Sequence, residues 1–135
     1  MTTAVQATQQ ICDYLVANYA AAPLAFDNEP PTQRTDPYVC VSVLIGDSQA
    51  NLDSTFKRTV GVLMLTARVL KGSGNLQALS LAEQAANTIE SKTVGGVRLQ
   101  TATYMNFGIV GDALEVDAGW HQVVASIPFW FERYT

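Results

Sequence analysis

Residues 58–91 read RTVGVLMLTARVLKGSGNLQALSLAEQAANTIES, and this stretch decides the fold. It begins with an apolar run from Val60 to Leu70, in which the polar residues Thr66 and Arg68 share one parity. Such alternation predicts a long strand whose other face is turned towards the core. We expect that core face to carry Gly61, Leu63, Leu65, Ala67 and Val69.

After Gly72-Ser73-Gly74, apolar residues recur every third or fourth position, which predicts an amphipathic helix. The glycines permit a sharp turn that brings this helix back over the sheet. Asn75 or Ser73 can accept hydrogen bonds from its first amides. The apolar stripe of this helix is expected to contain Leu76, Leu79, Ala82, Ala86 and Ile89.

The chain before this unit predicts a second helix, over residues 3–21, that Thr2 or Thr3 caps and that ends near Pro23. Residues 24–26 are a short extended segment and residues 38–46 a strand. The intervening residues up to 37, and the polar residues 47–55, are expected to be loops. The stripe predicted for the first helix contains Val5, Thr8, Cys12, Leu15, Val16 and Tyr19.

The chain after the unit predicts three more strands. Residues 92–96 are a turn with Gly95-Gly96 as its hinge, and residues 112–119 are an acidic link. In the last strand Phe129 and Phe131 share a face that is expected to join the core. The three strands cover residues 97–101, 104–110 and 120–133.

Two other residues of the last strand have specific predictions. Trp130 faces the opposite side, where it is either packed or an interface anchor. Pro128 has no amide hydrogen, so it predicts a sheet edge or a bulge. A long aromatic strand at a terminus is also an edge that another chain can extend.

This order of elements predicts an α+β fold: a two-layer domain with a mostly antiparallel β-sheet and two helices packed on one face. The length of 135 residues fits a single domain over residues 1–135. A formal net charge of -4 and the absence of a basic run argue against general nucleic-acid binding. No segment has the character of a signal peptide or a membrane span, so we expect a cytoplasmic protein in which Cys12 and Cys40 are reduced, small buried side chains.

No pattern in the chain carries a catalytic signature. His121 is the only histidine and is expected to be packed or exposed on its strand. The turn at residues 71–75 presents helix amides to an anion, but it lacks the Walker and GxGxxG patterns. We therefore expect no catalytic residue, cofactor or metal, and a solvated acidic turn at Asp112, Glu115 and Asp117.

Several short sequence motifs follow one another along the chain in a characteristic order. An N-terminal helix leads to the segment Phe26-Asp27-Asn28-Glu29-Pro30-Pro31, and a Tyr-Val-x-Val-x-Val strand ends at Gly46. Arg58-x-x-Gly61-Val62-Leu63 then runs into the glycine turn and an alanine-rich helix, and an aromatic strand ends in Glu132-Arg133-Tyr134. Across essentially the whole chain, this order resembles the tail terminator (tail completion) proteins of long-tailed bacteriophages.

The resemblance implies a structural virion protein and not an enzyme. Members of that family form a hexameric ring on the last ring of the tail tube, stop tube polymerisation and present a surface to the head-completion or neck protein. Such a protein is assembled in the host cytoplasm, resides at the head-proximal end of the phage tail, contacts no membrane and lets DNA pass through its lumen without specific binding. The residues implied as contacts are Asn28 and Glu29 in one loop, Asp47, Ser48, Gln49, Asn51 and Asp53 in the other, and Trp130.

Two alternatives stay open from the sequence. One is a head–tail connector, neck or minor tail protein of similar fold. The other is a small anion- or nucleotide-binding enzyme that uses the turn at Gly72–Asn75.

Overall fold

The computed structural model describes residues 3–20, 22, 24–26, 37–50, 56–70, 75–110 and 120–134. In these ranges the chain forms two helices and a curled sheet of seven strands, which confirms the predicted α+β class. The elements are α1 (Ala4–Asn18), β1 (Leu24–Phe26), β2 (Tyr38–Ala50), β3 (Phe56–Leu70), α2 (Asn75–Ile89), β4 (Thr93–Val94), β5 (Val97–Leu99), β6 (Thr103–Val110) and β7 (Trp120–Tyr134).

The sheet has the strand order β1-β2-β3-β7-β5-β4, and β6 also pairs with β7. β1 lies parallel to β2, and every other pairing is antiparallel. Helix α2 lies across β3 and β7, while α1 packs beside α2 and contacts β2 and the β4–β5 hairpin. Both helices therefore cover the same face of the sheet, and one continuous core lies between the two layers.

The predicted core face of β3 is confirmed. Gly61 is buried, and Leu63, Leu65, Ala67 and Val69 are fully buried. The matching face of β7 is also buried, because the antiparallel register places its odd-numbered residues beside those of β3. That face carries Val123, Ala125, Ile127, Phe129 and Phe131, so the prediction for the two phenylalanines is confirmed as well.

The apolar stripes of both helices were predicted with errors. In α1, Val5 and Val16 are 78% and 62% exposed, whereas the core side carries Ala7, Ile11 and Leu15 at steps of four residues. Tyr19, the residue that follows the helix, continues this buried row. In α2, Leu76 is 79% exposed, because it lies out of phase with the buried residues that follow it. Those buried residues are Ala78, Leu81, Ala82, Ala85, Ala86 and Ile89.

Thr3, one of the two predicted caps, begins α1 in a capping box. The backbone amide of Gln6 donates to the Thr3 hydroxyl at 3.1 Å, and the Thr3 amide donates to Oε1 of Gln6 at 3.0 Å. Two amides that have no partner within the helix are thereby satisfied. The predicted cap of α2 by Ser73 lies outside the described residues.

Strand β2 is longer than predicted and includes residues 47–50, which the sequence had assigned to a loop. Its register against β3 shifts between Ile45 and Ser48, where β2 carries one extra residue. After such a bulge, the even-numbered residues of β2 lie on the face that its odd-numbered residues occupied before the bulge, and the odd-numbered residues lie on the opposite face. Ser48 therefore pairs with the buried Thr59, and Gln49 takes the position opposite Arg58.

Strand β7 is an interior strand, which corrects the prediction that it offers an edge to another chain. It pairs with β3 from Trp120 to Tyr134, and on its other side with β6 and then β5. Pro128 lies at the point where the neighbour of β7 on this second side changes from β6 to β5. Its carbonyl oxygen accepts a hydrogen bond from the Gln100 amide at 2.8 Å. In an antiparallel strand the amide and the carbonyl of one residue point to the same side. The N–H that proline lacks would therefore point towards the gap between β6 and β5 and not towards β3, so no hydrogen bond to β3 is lost.

The predicted hinge at Gly95-Gly96 is confirmed as the connection between β4 and β5. The turn predicted over residues 92–96 is wrong in part, because Thr93 and Val94 form β4. Gly95 has a φ of 59°, a conformation that favours glycine. Gln10 of α1 lies against this turn, and its Oε1 accepts from the Gly96 amide at 3.3 Å. The hairpin is thereby held against the helical layer.

Candidate interaction surface

The sheet face opposite the helices carries exposed apolar side chains, and no described helix or strand packs across it. We call this the outer face. Leu44 of β2, Val60 of β3 and Met105 of β6 are 53%, 46% and 58% exposed there. Exposed apolar side chains that share one face are typical of a surface that contacts another protein.

At one end of the outer face, Trp130 lies between two arginines. The guanidinium carbon of Arg58 is 4.1 Å from the centroid of the Trp130 ring, and that of Arg98 is 4.7 Å from it. We call these three residues the Arg–Trp cluster. Each cation–π contact contributes about 0.5–1 kcal/mol at an exposed site, so the three side chains are held in a defined arrangement.

The strand register explains how the cluster forms. Arg98 of β5 is the direct partner of Trp130 on β7, and Val60 of β3 is its direct partner on the other side. Arg58 lies two residues from Val60 on the same face, so its long side chain reaches the ring diagonally. Three strands that are far apart in the sequence therefore supply one cluster.

The two arginines of the cluster differ in their electrostatic environment. Nη2 of Arg58 lies 3.5 Å from Oε1 of Glu132, with both side chains about half exposed. Such an exposed ion pair contributes little stability, about 0–1 kcal/mol. Arg98 is exposed and has no ion pair or side-chain hydrogen bond within the described ranges. The cluster therefore carries a net positive charge on an otherwise acidic protein.

A second arginine-centred contact crosses the outer face at its other end. Nε of Arg68 donates to Oε1 of Gln122 at 3.1 Å, and Nη1 donates to the Tyr38 hydroxyl at 3.1 Å. The three residues lie side by side on β7, β3 and β2. This half-buried group links three strands, and its members provide one another with hydrogen-bond partners on an otherwise apolar face.

The structure places the predicted contact residues unevenly. Trp130 is half-buried on the outer face, in the cluster described above. Asp47, Ser48 and Gln49 belong to β2 and not to a loop, and the backbone of Gln49 lies opposite Arg58, at the same end of the sheet as Trp130. The four remaining predicted contacts lie outside the described residues: Asn28, Glu29, Asn51 and Asp53.

Sequence reasoning did not identify Arg58 and Arg98 as partners of Trp130. Arg58 is an even-numbered residue of β3, so it shares a face with Thr66 and Arg68. Arg98 is the polar middle residue of β5, between two buried apolar residues. Those signals assign each arginine to an outward face. The pairing of β7 with both β3 and β5, which brings the arginines to one ring, cannot be read from either segment.

A groove of about 430 Å³ lies between α1 and the first two strands. Its lining is mixed, because apolar residues of β2 face polar residues of α1. Cys12, expected to be buried, is half-buried and lines this groove, whereas the half-buried Cys40 faces outward on β2, and neither forms a disulfide. The groove is lined by Thr8, Gln9, Cys12, Asp13, Val16, Phe26, Val41 and Val43.

The structure describes only some of the residues that the sequence offered as candidates for catalysis or for ligand or metal binding. The backbone of His121 lies in β7 between Val69 of β3 and Ile109 of β6. The glycine turn at residues 72–74 and the acidic residues Asp112, Glu115 and Asp117 lie outside the described ranges. Among the residues that are described, no three histidine, cysteine, aspartate or glutamate side chains gather as they would around a metal ion. Neither described helix is long and apolar enough to span a membrane.

Comparisons with known proteins bear on the fold. No protein-family model matches the chain, and a search of curated proteins finds no match. Eleven chains of solved structures do match. One of them superposes with a TM-score of 0.61 at 18% sequence identity, covering 94% of this chain and 91% of its own, and it carries no functional name. At that identity the similarity establishes a shared fold over nearly the whole chain.

Proposed function

We propose that this protein is a structural virion protein that caps the tail tube of a long-tailed phage as a ring. In this role it stops tube polymerisation and provides the surface to which the head-completion or neck protein binds. The observation that carries the proposal is the outer face, on which exposed Leu44, Val60 and Met105 lie beside the Arg–Trp cluster. A protein that acts by contact needs such a surface, and these side chains are suited to it.

The physical logic is that of a capped polymer. A subunit that matches the growing end of the tube on one side, and does not reproduce that end on its other side, prevents further addition. Closure into a ring requires a heterologous interface, in which two different patches of each copy meet and the rotation between copies closes. A hexameric ring, as in the family that the sequence resembles, is the expected form. The net charge of -4 is compatible with DNA passing through the lumen without binding.

Charge substitution on the outer face tests the proposal. Val60→Asp places a charge on the exposed apolar face, and we expect it to abolish ring formation with the tube protein because burial of a carboxylate in an apolar contact is costly. Val5→Asp is the matched control, since Val5 is also an exposed valine but lies on α1. Native mass spectrometry of each variant, alone and with tube protein, gives the readout. Rings from Val60→Asp that equal those of the parent protein would contradict the assignment of this face.

The phenotype of a deletion distinguishes the proposal from its closest rival. Phages that lack a terminator are expected to make overlong tails without heads, visible by negative-stain electron microscopy. Normal tails beside unjoined heads would instead identify a neck protein. Removal of residues 51–55 tests the contacts predicted for residues 47–55 without shortening β2, since residues 47–50 form part of that strand.

A further inference from the structure

Two charged side chains stand out because neither forms a hydrogen bond or an ion pair within the described ranges. Arg98 of β5 has only its contact with the Trp130 ring, and Glu83 of α2 is exposed. An arginine fork and a carboxylate match each other in charge and in shape, so these two groups are suited to pair. The other described charged side chains all form a hydrogen bond or an ion pair: Asp13, Arg58, Arg68, Glu90, Lys92 and Glu132.

Glu83 and Arg98 lie on opposite sides of the molecule. Arg98 belongs to the outer face, because it pairs with Trp130 and because Val97 and Leu99 on either side of it are buried towards the helices. Glu83 is exposed on α2, whose buried side faces the sheet. The sheet and the core separate the two side chains. They can therefore pair only when Glu83 belongs to a second copy of the chain.

Glu83 shares its side of α2 with an exposed leucine. Leu76 precedes it by seven residues, which is close to two helical turns, so the two side chains lie in one line about 10 Å apart. Leu76 is 79% exposed. We call Leu76 and Glu83 the α2 ridge. It presents one apolar group and one unpaired carboxylate at a fixed spacing.

The outer face carries a row of residues with the same spacing. Arg98, Trp130 and Val60 are direct partners on the adjacent strands β5, β7 and β3. Neighbouring strands are about 4.8 Å apart, so Arg98 and Val60 are separated by about 10 Å. Val60 is 46% exposed. An α2 ridge that lies across these strands therefore brings Glu83 to Arg98 and Leu76 to Val60 at the same time.

We propose that the α2 ridge of one copy docks on the outer face of the next copy. Glu83 pairs with Arg98, and Leu76 packs against Val60. The contact is heterologous, because it joins the helical layer of one copy to the outer face of another. An open row of copies keeps one free ridge and one free outer face until it closes. The inference rests on the proposed ring and identifies its subunit interface.

Charge reversal on either side tests the ion pair. Arg98→Glu places two carboxylates opposite each other, and Glu83→Arg places two guanidinium groups opposite each other. Each variant alone is expected to weaken association between copies by about tenfold or more, because attraction becomes repulsion. Association of the parent protein is expected to weaken as salt is raised. The measurement is native mass spectrometry or light scattering, with and without tube protein.

Complementation makes the test specific to this pair. The double variant, with Glu83→Arg and Arg98→Glu in one chain, restores opposite charges at every contact and is expected to assemble alone. A 1:1 mixture of the two single variants restores them when the copies alternate, which a ring of six allows. Asp13→Arg and Lys92→Glu are the matched controls and should assemble normally. They make the same charge changes at exposed positions outside the α2 ridge and the outer face.

The apolar half of the contact has its own test. Leu76→Asp is expected to weaken association between copies by about tenfold or more, because the new carboxylate would be buried against Val60. Val5→Asp is the control, since Val5 is almost as exposed as Leu76 but lies on α1. Equal assembly of Leu76→Asp and the parent protein would overturn the contact between Leu76 and Val60.

The outcomes separate this inference from the proposed function. Rings of parent protein together with an unaffected Arg98→Glu or Glu83→Arg variant would overturn the contact and leave the proposed ring intact. Loss of assembly without recovery in the mixture or the double variant would also overturn it, since Arg98 would then bind a different partner. A parent protein that never forms rings with tube protein would overturn both. Thermal unfolding identifies any misfolded variant, and if Arg98→Glu does not fold, Glu83→Arg and Leu76→Asp decide the test.

Discussion

Phe129 lies over Gly61 on the neighbouring strand, and its ring fills the space that a side chain at position 61 would occupy. A Cβ atom at that position would lie 2.5 Å from Cζ of Phe129 and 2.5 Å from the carbonyl oxygen of Leu44. Both neighbours would have to shift, one of them backbone. We expect Gly61→Ala to lower the free energy of unfolding by at least about 2 kcal/mol in urea titrations.

Gly46→Ala is the control for this prediction. The nearest atom to a Cβ at position 46 is the carbonyl oxygen of Val60 at 3.1 Å, and the next is 3.6 Å away. A small adjustment accommodates it, so we expect a loss below about 1 kcal/mol. Equal losses in the two variants would show that the contact with Phe129 is not the reason for glycine at position 61.

The capping box of α1 gives a second prediction. Thr3→Ala removes the hydroxyl that accepts from the Gln6 amide, and we expect a loss of about 1 kcal/mol in the free energy of unfolding. Thr2→Ala changes a neighbouring threonine without touching this hydrogen bond and should alter stability by less than about 0.5 kcal/mol. If the order of the two effects were reversed, Thr2 would be the functional cap.

The buried hydroxyl of Tyr19 predicts a dependence of stability on alkaline pH. Tyr19 is only 6% exposed, its hydroxyl has no hydrogen-bond partner among the described residues, and burial raises its pKa above the ordinary value. The folded state therefore holds this proton more tightly than the unfolded state. Its contribution to stability is complete below about pH 10 and is lost as the pH rises through the folded-state pKa.

Tyr19→Phe removes this titration and the unsatisfied hydroxyl together. We expect the variant to be as stable as the parent at pH 8, or more stable by about 1 kcal/mol, and to lose less stability above pH 10. Part of the alkaline loss should remain, because the pKa of Tyr104 is also raised, by burial and by the carboxylates of Glu90 and Glu83. Tyr14→Phe removes a tyrosine hydroxyl from α1, leaves Tyr19 in place and is the control. Urea unfolding at the two pH values checks this, and identical pH slopes in all proteins would contradict it.

The link through Arg68 gives a fourth prediction. Arg68→Met removes hydrogen bonds to Gln122 and Tyr38, and we expect a loss of about 1–2 kcal/mol in thermal or urea unfolding. Tyr38→Phe removes one of the two bonds and should cost less. If the bond is direct, the losses in the double variant are smaller than the sum of the single losses. Strict additivity would mean that the two side chains do not interact in solution.

The core faces of the strands could be predicted because strand parity is local. Alternating residues in β3 and β7 identify the buried faces, and Phe129 and Phe131 lie in the core as expected. The buried faces of the helices were harder to predict. When one exposed apolar residue is counted as part of the buried stripe, the face inferred for the whole helix rotates towards it. Val5 and Leu76 were assigned to the core for this reason and are exposed.

The sequence did not show the bulge in β2 or the two neighbours of β7. A polar segment after Gly46 has the composition of a loop, yet residues 47–50 continue the strand because β3 extends alongside them. Pro128 by itself indicates an edge or a bulge, and only the pairing shows that its missing amide falls between β6 and β5. These outcomes depend on which strand lies next to which.

The sequence by itself determined the alternation of buried and exposed residues, the existence of both helices and the α+β class, because these follow from local periodicity and composition. Tertiary structure alone decided that Arg58, Arg98 and Trp130 meet, since they lie on three strands whose register is set by packing between distant segments. A strand residue carries information about its own face but not about its neighbour across the sheet. For that reason the candidate surface became visible only when the strands were paired.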